Sequence, residues 1–263
     1  MDIFEYEFMQ RAFIVGTILA IILPCIGLPI LLRHLSMMGD TLSHSSLAGV
    51  SIGLCFGFNP LIGSAIACVA AGLGIEYIRE KLKAYHEIST VIIMAFSIGL
   101  AGIFTSFTGN SNSISSYLFG SIVTIGDREL YLVIGVSIII MIAYIILYDR
   151  LYLLSFDDKN AKLLGINKKF INFIFTILAA IAVSISAKTI GSLIVSSILV
   201  IPVITAMQFM KTYKGTLILS IIFSIIFVYA GLFLSYQYNL KPGSVVVLIS
   251  VAGLLISMFI KRK

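Results

Sequence analysis

The sequence predicts an all-α, polytopic transmembrane helical bundle of about eight or nine spans, and its composition and its long apolar runs both point to this class. Of the 263 residues, 59% are hydrophobic and 11% are charged, and the mean hydropathy is +1.09. A soluble domain carries about 25% charged residues because its surface must stay hydrated. The apolar runs approach the ~20 residues that cross hydrocarbon as a helix, and they lack the alternation of barrel strands.

The predicted spans follow one another along the chain with short connections. They lie at residues 12–32, 41–58, 60–78, 88–107, 130–148, 170–187, 189–210, 216–235 and 243–260. The run at 189–210 contains Pro202, which predicts either one kinked helix or two shorter pieces. The segment 117–126 is too short to cross and predicts a re-entrant or interfacial element. No linker divides the chain, so we expect one membrane domain over residues 1–263.

The distribution of basic residues predicts the orientation. If the first span runs inward, most of the 18 Lys and Arg residues lie in cytoplasmic segments. The outer side then keeps only Arg11, Arg128, Lys188 and Lys241. This asymmetry predicts an outer N-terminus and a cytoplasmic C-terminus. It also explains the net charge of +6 without a nucleic-acid partner.

The sequence carries no motif of a catalytic or nucleotide site. No G-x-x-x-x-G-K-[ST] phosphate loop occurs, and neither does H-E-x-x-H. The string G-V-S-I-G at 49–53 matches G-x-S-x-G, but it lies inside the predicted span 41–58 and not on the strand-to-helix turn that a nucleophilic serine needs. The three cysteines, Cys25, Cys55 and Cys68, form no C-x-x-C pair and lie in apolar runs. We therefore expect no catalytic residues, no permanently bound cofactor and no thiolate zinc site.

Asp40 and His44 are the candidate metal ligands. They stand four residues apart and share one face of a helix. A carboxylate with an imidazole suits zinc, manganese or ferrous iron. Counted as a helix from Arg33, His44 lies roughly 16 Å inside the membrane, where ionisable residues are costly. Two other interpretations stay open: Asp40 can be an N-cap, and His44 can donate a hydrogen bond between helices.

The same predicted helix carries a stripe of small residues about 100° from that face. Ser45, Gly49, Gly53 and Gly57 recur every four residues, and this period lets two helix backbones approach closely. In the loop 149–169, Ala161, Leu164 and Gly165 follow polar residues in the pattern of a short amphipathic helix that ends at glycine. Such a helix can dock a cytoplasmic partner or rest on the membrane surface.

Five separated segments resemble the permease subunits of ATP-binding-cassette importers for zinc, manganese and iron. They are M-G-D-T-L-S-H-S-S-L-A-G at 38–49, L-F-G-S-I at 118–122, S-F-D-D at 155–158 with Ala161 and L-G at 164–165, I-G-S-L-I-V-S-S-I-L-V-I-P-V-I-T-A at 190–206, and L-K-P-G-S at 240–244. Their order and spacing cover most of the chain from residue 33 to 260.

The resemblance implies a multi-pass protein of the bacterial cytoplasmic membrane that works as a homodimer of permeases, with two cytoplasmic ATPase subunits and an extracytoplasmic metal-binding protein that delivers the ion. It also implies that Asp40 and His44 contact the metal. The coupling loop against the ATPase would comprise Phe156, Asp157, Ala161, Leu164 and Gly165. Lys159 and Asn160 depart from the acidic and aromatic residues that relatives often carry there.

Zinc is the expected transported substrate, because G-D-T-L-S-H-S at 39–45 is more similar to the zinc members than to the manganese members. Import of manganese or ferrous iron by the same architecture is the alternative. An ATP-independent metal carrier and an intramembrane metallohydrolase are the other function classes. The hydrolase needs a third ligand and a general base inside the spans, and Glu76 and Glu129 fall near the membrane boundaries instead.

Overall fold

The computed structural model describes residues 6–82, 86–108, 126–156 and 164–261. Within these ranges all regular secondary structure is α-helical, which confirms the predicted fold class. The helices are α1 (Glu7–Leu32), α2 (Met38–Phe56), α3 (Pro60–Lys81), α4 (His86–Thr108), α5 (Asp127–Phe156), α6 (Lys168–Ile190), α7 (Ser192–Phe209), α8 (Tyr213–Tyr238) and α9 (Pro242–Lys261).

Eight of the helices in the described part of the chain are long and apolar enough to cross a membrane. The helix outside this set is α2, whose 19 residues include four serines, Asp40 and His44. A helix without a polar site can be identified as a membrane span from its composition alone, whereas α2 cannot. Whether the chain crosses the membrane an odd or an even number of times depends on whether α2 crosses it. The orientation of the termini therefore stays a prediction.

The run predicted at 189–210 forms one helix. It begins after Gly191, whose φ of 94° lies in a region that side chains disfavour, and this residue separates α6 from α7. Pro202 lies inside α7 without ending it. Almost all of the predicted re-entrant segment 117–126 lies outside the described residues.

The chain forms two compact units, each built from separated stretches. One unit comprises Met1–Leu28, Ser116–Ile138 and Ser186–Lys263, and the other comprises Pro29–Ser115 and Ile139–Ile185. The first unit therefore holds most of α1 together with α7, α8 and α9. The second holds α2, α3, α4 and most of α6. The single domain over residues 1–263 stays a prediction.

Glycines bring helices of the first unit together. A Cβ at Gly27 of α1 would overlap the carbonyl oxygen of Leu199 in α7. A Cβ at Gly231 of α8 would likewise overlap Val246 in α9. Small residues are common at such contacts in membrane proteins, because they let backbones approach and gain van der Waals contact.

In the second unit, α2 packs closely against α3. A Cβ at Gly49 would overlap the carbonyl oxygen of Gly63, and one at Gly63 would overlap that of Gly49. Gly53 continues this contact, since its Cβ would lie 3.0 Å from the Cα of Pro60. The two glycines of α2 therefore form a backbone-to-backbone contact that larger residues cannot make.

Gly57 differs from the other residues of the predicted stripe. Its φ of 72° places it in the left-handed region, where its backbone N–H bonds to the carbonyl of Gly53 and ends α2. No described atom lies within 4 Å of the position a Cβ would take. The prediction that Gly57 belongs to the packing stripe was wrong, because a glycine in this conformation ends the helix as a C-cap.

Substitution of Gly49 by Leu should destabilise the protein strongly. The new side chain would overlap the backbone of α3, and overpacking a close contact costs about 1–3 kcal/mol or more. We expect a lower midpoint of thermal unfolding in detergent. Gly99→Leu is the matched control, because no atom of the described residues lies within 4 Å of a Cβ at that glycine of α4. Equal midpoints for the two variants would contradict the close approach of α2 and α3.

Candidate functional site

Asp40 and His44 lie on one side of α2 with their side chains adjacent. The Nε2 atom of His44 lies 3.8 Å from Oδ1 of Asp40, and the side chains are 25% and 32% exposed, respectively. The N-cap residue of α2 is Met37, which makes no side-chain capping bond, and Asp40 follows in the first turn. The interpretation of Asp40 as an N-cap is therefore wrong.

The spacing of the two side chains is close to that of two ligands on one ion. Two atoms bound to zinc at about 2.1 Å with a tetrahedral angle lie about 3.4 Å apart. A small rotation of either side chain brings the observed 3.8 Å to that value. No group of three or more His, Cys, Asp or Glu residues that could hold a metal occurs among the described residues. The pair thus offers two ligands, one oxygen and one nitrogen.

Ser43 lies beside this pair. Its side chain is 1% exposed, and its hydroxyl has no hydrogen-bond partner within the described part of the chain. On a helix, residues three apart are neighbours, so Ser43 stands next to Asp40. A buried hydroxyl without a bond is costly, and this one lies within one helical turn of Asp40.

A chain of buried hydroxyls joins α2 to α3 and α6. Ser64 of α3 lies at its centre, with its Oγ 2.7 Å from that of Ser46 and 2.6 Å from that of Ser184. The thiol of Cys68 donates to the carbonyl of Leu42 at 3.2 Å. Each of these polar groups therefore has a partner inside the protein, as hydrocarbon requires.

A second set of hydroxyl contacts joins α2 to α4. The hydroxyls of Ser45 and Ser97 lie 2.7 Å apart, and Thr41 donates to the carbonyl of Thr90 at 3.2 Å. Ser45 and Ser97 also line a cavity of about 310 Å³ among α2, α3 and α4, whose other lining residues are apolar or glycine. Since these two hydroxyls bond to each other, the cavity offers no set of ligands for a metal.

A polar network that no sequence pattern predicted lies at the start of α2. Asn172 of α6 accepts a bond from Nη1 of Arg33 at 2.9 Å and donates to Oε1 of Glu76 at 2.9 Å. The same Glu76 oxygen accepts from Nη2 of Arg79 at 2.6 Å. The signal in the sequence was Asn172 itself, an amide inside the apolar run at 170–187.

The candidate coupling residues are only partly described. Phe156 is the last residue of α5, is 60% exposed and has its ring 5.3 Å from that of Tyr152. Leu164 is 67% exposed, and Gly165 has a φ of 74°. Asp157 and Ala161 lie outside the described residues, so the amphipathic helix predicted there stays a prediction.

The other two histidines do not lie in the candidate site. His34 is exposed in the turn before α2 and has a φ of 55°. His86 begins α4. Neither stands on the helical face that Asp40 and His44 share.

Known proteins similar to this chain concern metal transport. The family described as "ABC 3 transport family" matches residues 5–261. A Treponema pallidum protein named "Probable metal transport system membrane protein" is 33% identical over 96% of this chain and 95% of its own length. The "Manganese transport system membrane protein MntC" of Listeria monocytogenes is 29% identical over 94% of this chain and 88% of its own length.

A solved structure has a closely similar fold. It is titled "PsaBC from Streptococcus pneumoniae in complex with Fab", and it superposes with a TM-score of 0.87 at 27% sequence identity. The match covers 98% of this chain and 94% of that chain.

Substitution of Ser64 by Ala should lower stability, because Ser46 and Ser184 would each lose a buried partner. Leaving a buried hydroxyl unsatisfied costs about 1–3 kcal/mol, so we expect a lower midpoint of unfolding in detergent. Ser106→Ala is the control, since that exposed hydroxyl bonds only within α4, to the carbonyl of Gly102. An unchanged midpoint in Ser64→Ala would show that the hydroxyl chain does not stabilise the second unit.

Proposed function

The chain belongs to the ABC 3 transport family and is a permease subunit of a metal importer, and we propose that it carries manganese(II) past Asp40 and His44. It is a multi-pass bacterial membrane protein. The observation that carries the proposal is the adjacent carboxylate and imidazole on α2. An ionisable pair in a membrane domain is costly, and such residues mark ion pathways far more often than packing contacts.

The identity of the metal rests on ligand chemistry and on the relatives. Carboxylate oxygen suits manganese and imidazole suits zinc, so the ligand pair by itself admits either metal. The name of the Listeria relative favours manganese. The motif at 39–45 favours zinc instead. Zinc is therefore the competing substrate, and the competition experiment below separates the two.

We also propose that a second copy of the chain completes the metal site. One copy supplies one oxygen and one nitrogen, whereas a bound divalent transition metal takes at least four ligands. Two copies that face each other through this side of α2 would supply two of each. The partial exposure of both side chains supports this arrangement, since it leaves the ligands accessible to an ion.

The energy for import would come from another chain. The sequence holds no phosphate loop, so a separate cytoplasmic ATPase would drive the cycle, and an extracytoplasmic binding protein would deliver the ion. A site with few ligands from each subunit suits transport, because an ion must leave as readily as it binds. ATP-driven movement of the two copies would open the site first outward and then inward.

Replacing either ligand should abolish transport. In vesicles that contain the permease and its ATPase, we expect Asp40→Asn and His44→Gln each to reduce ATP-dependent manganese uptake at least tenfold. Each variant keeps the size of the side chain and removes one metal-binding atom. His34→Asn is the matched control, because it removes an exposed imidazole outside the site and asparagine tolerates its left-handed backbone.

Normal uptake of both manganese and zinc by the two site variants would refute the proposed site. Comparable unfolding midpoints for the variants and the wild type are needed to assign the loss to ligation. Equal uptake with and without ATP would favour a carrier that works alone.

Competition between metals tests the substrate. With labelled manganese as the transported ion, we expect unlabelled manganese to compete at lower concentration than unlabelled zinc in the presence of the delivery protein. The reverse order would assign zinc to the importer. Omitting the delivery protein is the control, since the preference of the permease site is then measured without that of the partner.

A further inference from the structure

The most completely buried part of the network at the start of α2 is Asn172. Its side chain is 3% exposed, and its amide joins a cation to an anion: its oxygen accepts from Arg33, and its nitrogen donates to Glu76. An amide carries its acceptor and its donors on separate atoms, so one side chain accepts from the guanidinium through its oxygen and donates to the carboxylate through its nitrogen. Leucine has the same size but makes neither bond.

Arg33 connects this network to the segment that leads into α2 and the candidate metal site. It follows α1 directly and precedes α2, whose first turn contains Asp40. Its guanidinium also lies over the ring of Phe175 at 5.3 Å, one helical turn from Asn172 on α6. Two contacts thus attach Arg33, in the connection between α1 and α2, to α6.

The start of α2 is held on its other side by α4. Ser36 donates to Glu87 at 3.0 Å, and Thr41, the residue after Asp40, donates to the carbonyl of Thr90 at 3.2 Å. The position of Asp40 therefore depends on contacts with α4 and on the network that includes α6.

α6 begins beside the predicted coupling segment. Asn167 caps it by accepting from the backbone N–H of Phe170 at 3.2 Å, and Asn172 follows in the second turn. A second contact from α6 to α3, Lys169 to Glu80 at 3.0 Å, has side chains that are 78% and 44% exposed. Exposed ion pairs contribute little, so the buried amide is the stronger link at this end of α6.

We propose that Asn172 is a positioning residue that transmits movement of the start of α6 to Asp40 through Arg33. This rests on the proposed function, in which an ATPase acts on the coupling segment. A hydrogen bond of 2.9 Å is largely lost when its atoms separate beyond about 3.5 Å. A shift of α6 by about one ångström must therefore either move Arg33 and the start of α2 or break the link.

The link is tested by the number of ions transported per ATP hydrolysed. We expect Asn172→Leu to retain ATP hydrolysis within about twofold of the wild type in the assembled complex and to reduce the ratio of manganese uptake to ATP hydrolysis at least fivefold. Thr176→Val is the matched control, because Thr176 is equally buried at 3%, lies one turn further along α6, and keeps its packing methyl as valine. It should leave the ratio unchanged.

Asn172→Ser provides a second variant if the leucine variant does not assemble, since serine is small and polar but too short to span both partners. It should lower the ratio as well. Asn172→Gln keeps the amide and should restore part of the coupling. A wild-type ratio in Asn172→Ser or Asn172→Leu would overturn the proposal, and so would equal losses in Thr176→Val.

Arg33→Gln in combination with Asn172→Leu tests whether the two residues act together. If Asn172 acts through Arg33, the double variant should lose no more coupling than the more severe single variant. Independent, multiplying losses would overturn the assigned route. Absence of ATP-dependent uptake in the wild-type complex would instead refute the proposed function, so the two failures are distinguishable.

Discussion

The polarity of α2 is the constraint on which the second unit depends. This helix carries four serines, a threonine, Asp40 and His44, and it is the described helix that lacks the composition of a membrane span. A polar group in hydrocarbon costs several kcal/mol unless another group of the protein bonds to it. The helix can therefore exist in a membrane domain only when other helices surround most of its circumference. Its neighbours α3 and α4, together with α6, meet this requirement.

Two kinds of contact attach α2 to the helices around it. Gly49 and Gly63 allow the backbones of α2 and α3 to touch, and paired hydroxyls such as Ser46 with Ser64 satisfy the polar atoms buried beside them. The glycine contact brings the backbones of α2 and α3 close together, and this short distance lets the hydroxyls of the two helices bond to each other. Near the start of α2, the side chains of Asp40 and His44 stay partly exposed. The accessible face is thus the one that the neighbours do not cover.

The two ends of α2 are stabilised in different ways, and this difference suits a transporter. Its C-terminal end closes on Gly57, a left-handed cap that needs no contact with another helix. Its N-terminal end has no side-chain cap, and the segment before it is held by residues of other helices: Arg33 bonds to Asn172 and Ser36 bonds to Glu87. An end that is held by neighbouring helices moves when they move. The candidate ligands lie in the first two turns beside this end.

Local sequence patterns determined the helical class, most span positions and the pairing of Asp40 with His44, because each depends on residues within a few turns of one helix. They also suggested the small-residue contact at Gly49, but Gly57 followed the same period and proved to be a cap. The tertiary structure alone decided which helix α2 touches, which hydroxyls pair and that Asn172 reaches Arg33 across 139 residues of chain. Such contacts join residues far apart in sequence, and no local periodicity encodes them. They exist only after helices pack, when each buried polar atom takes whichever partner the packing brings within bonding distance.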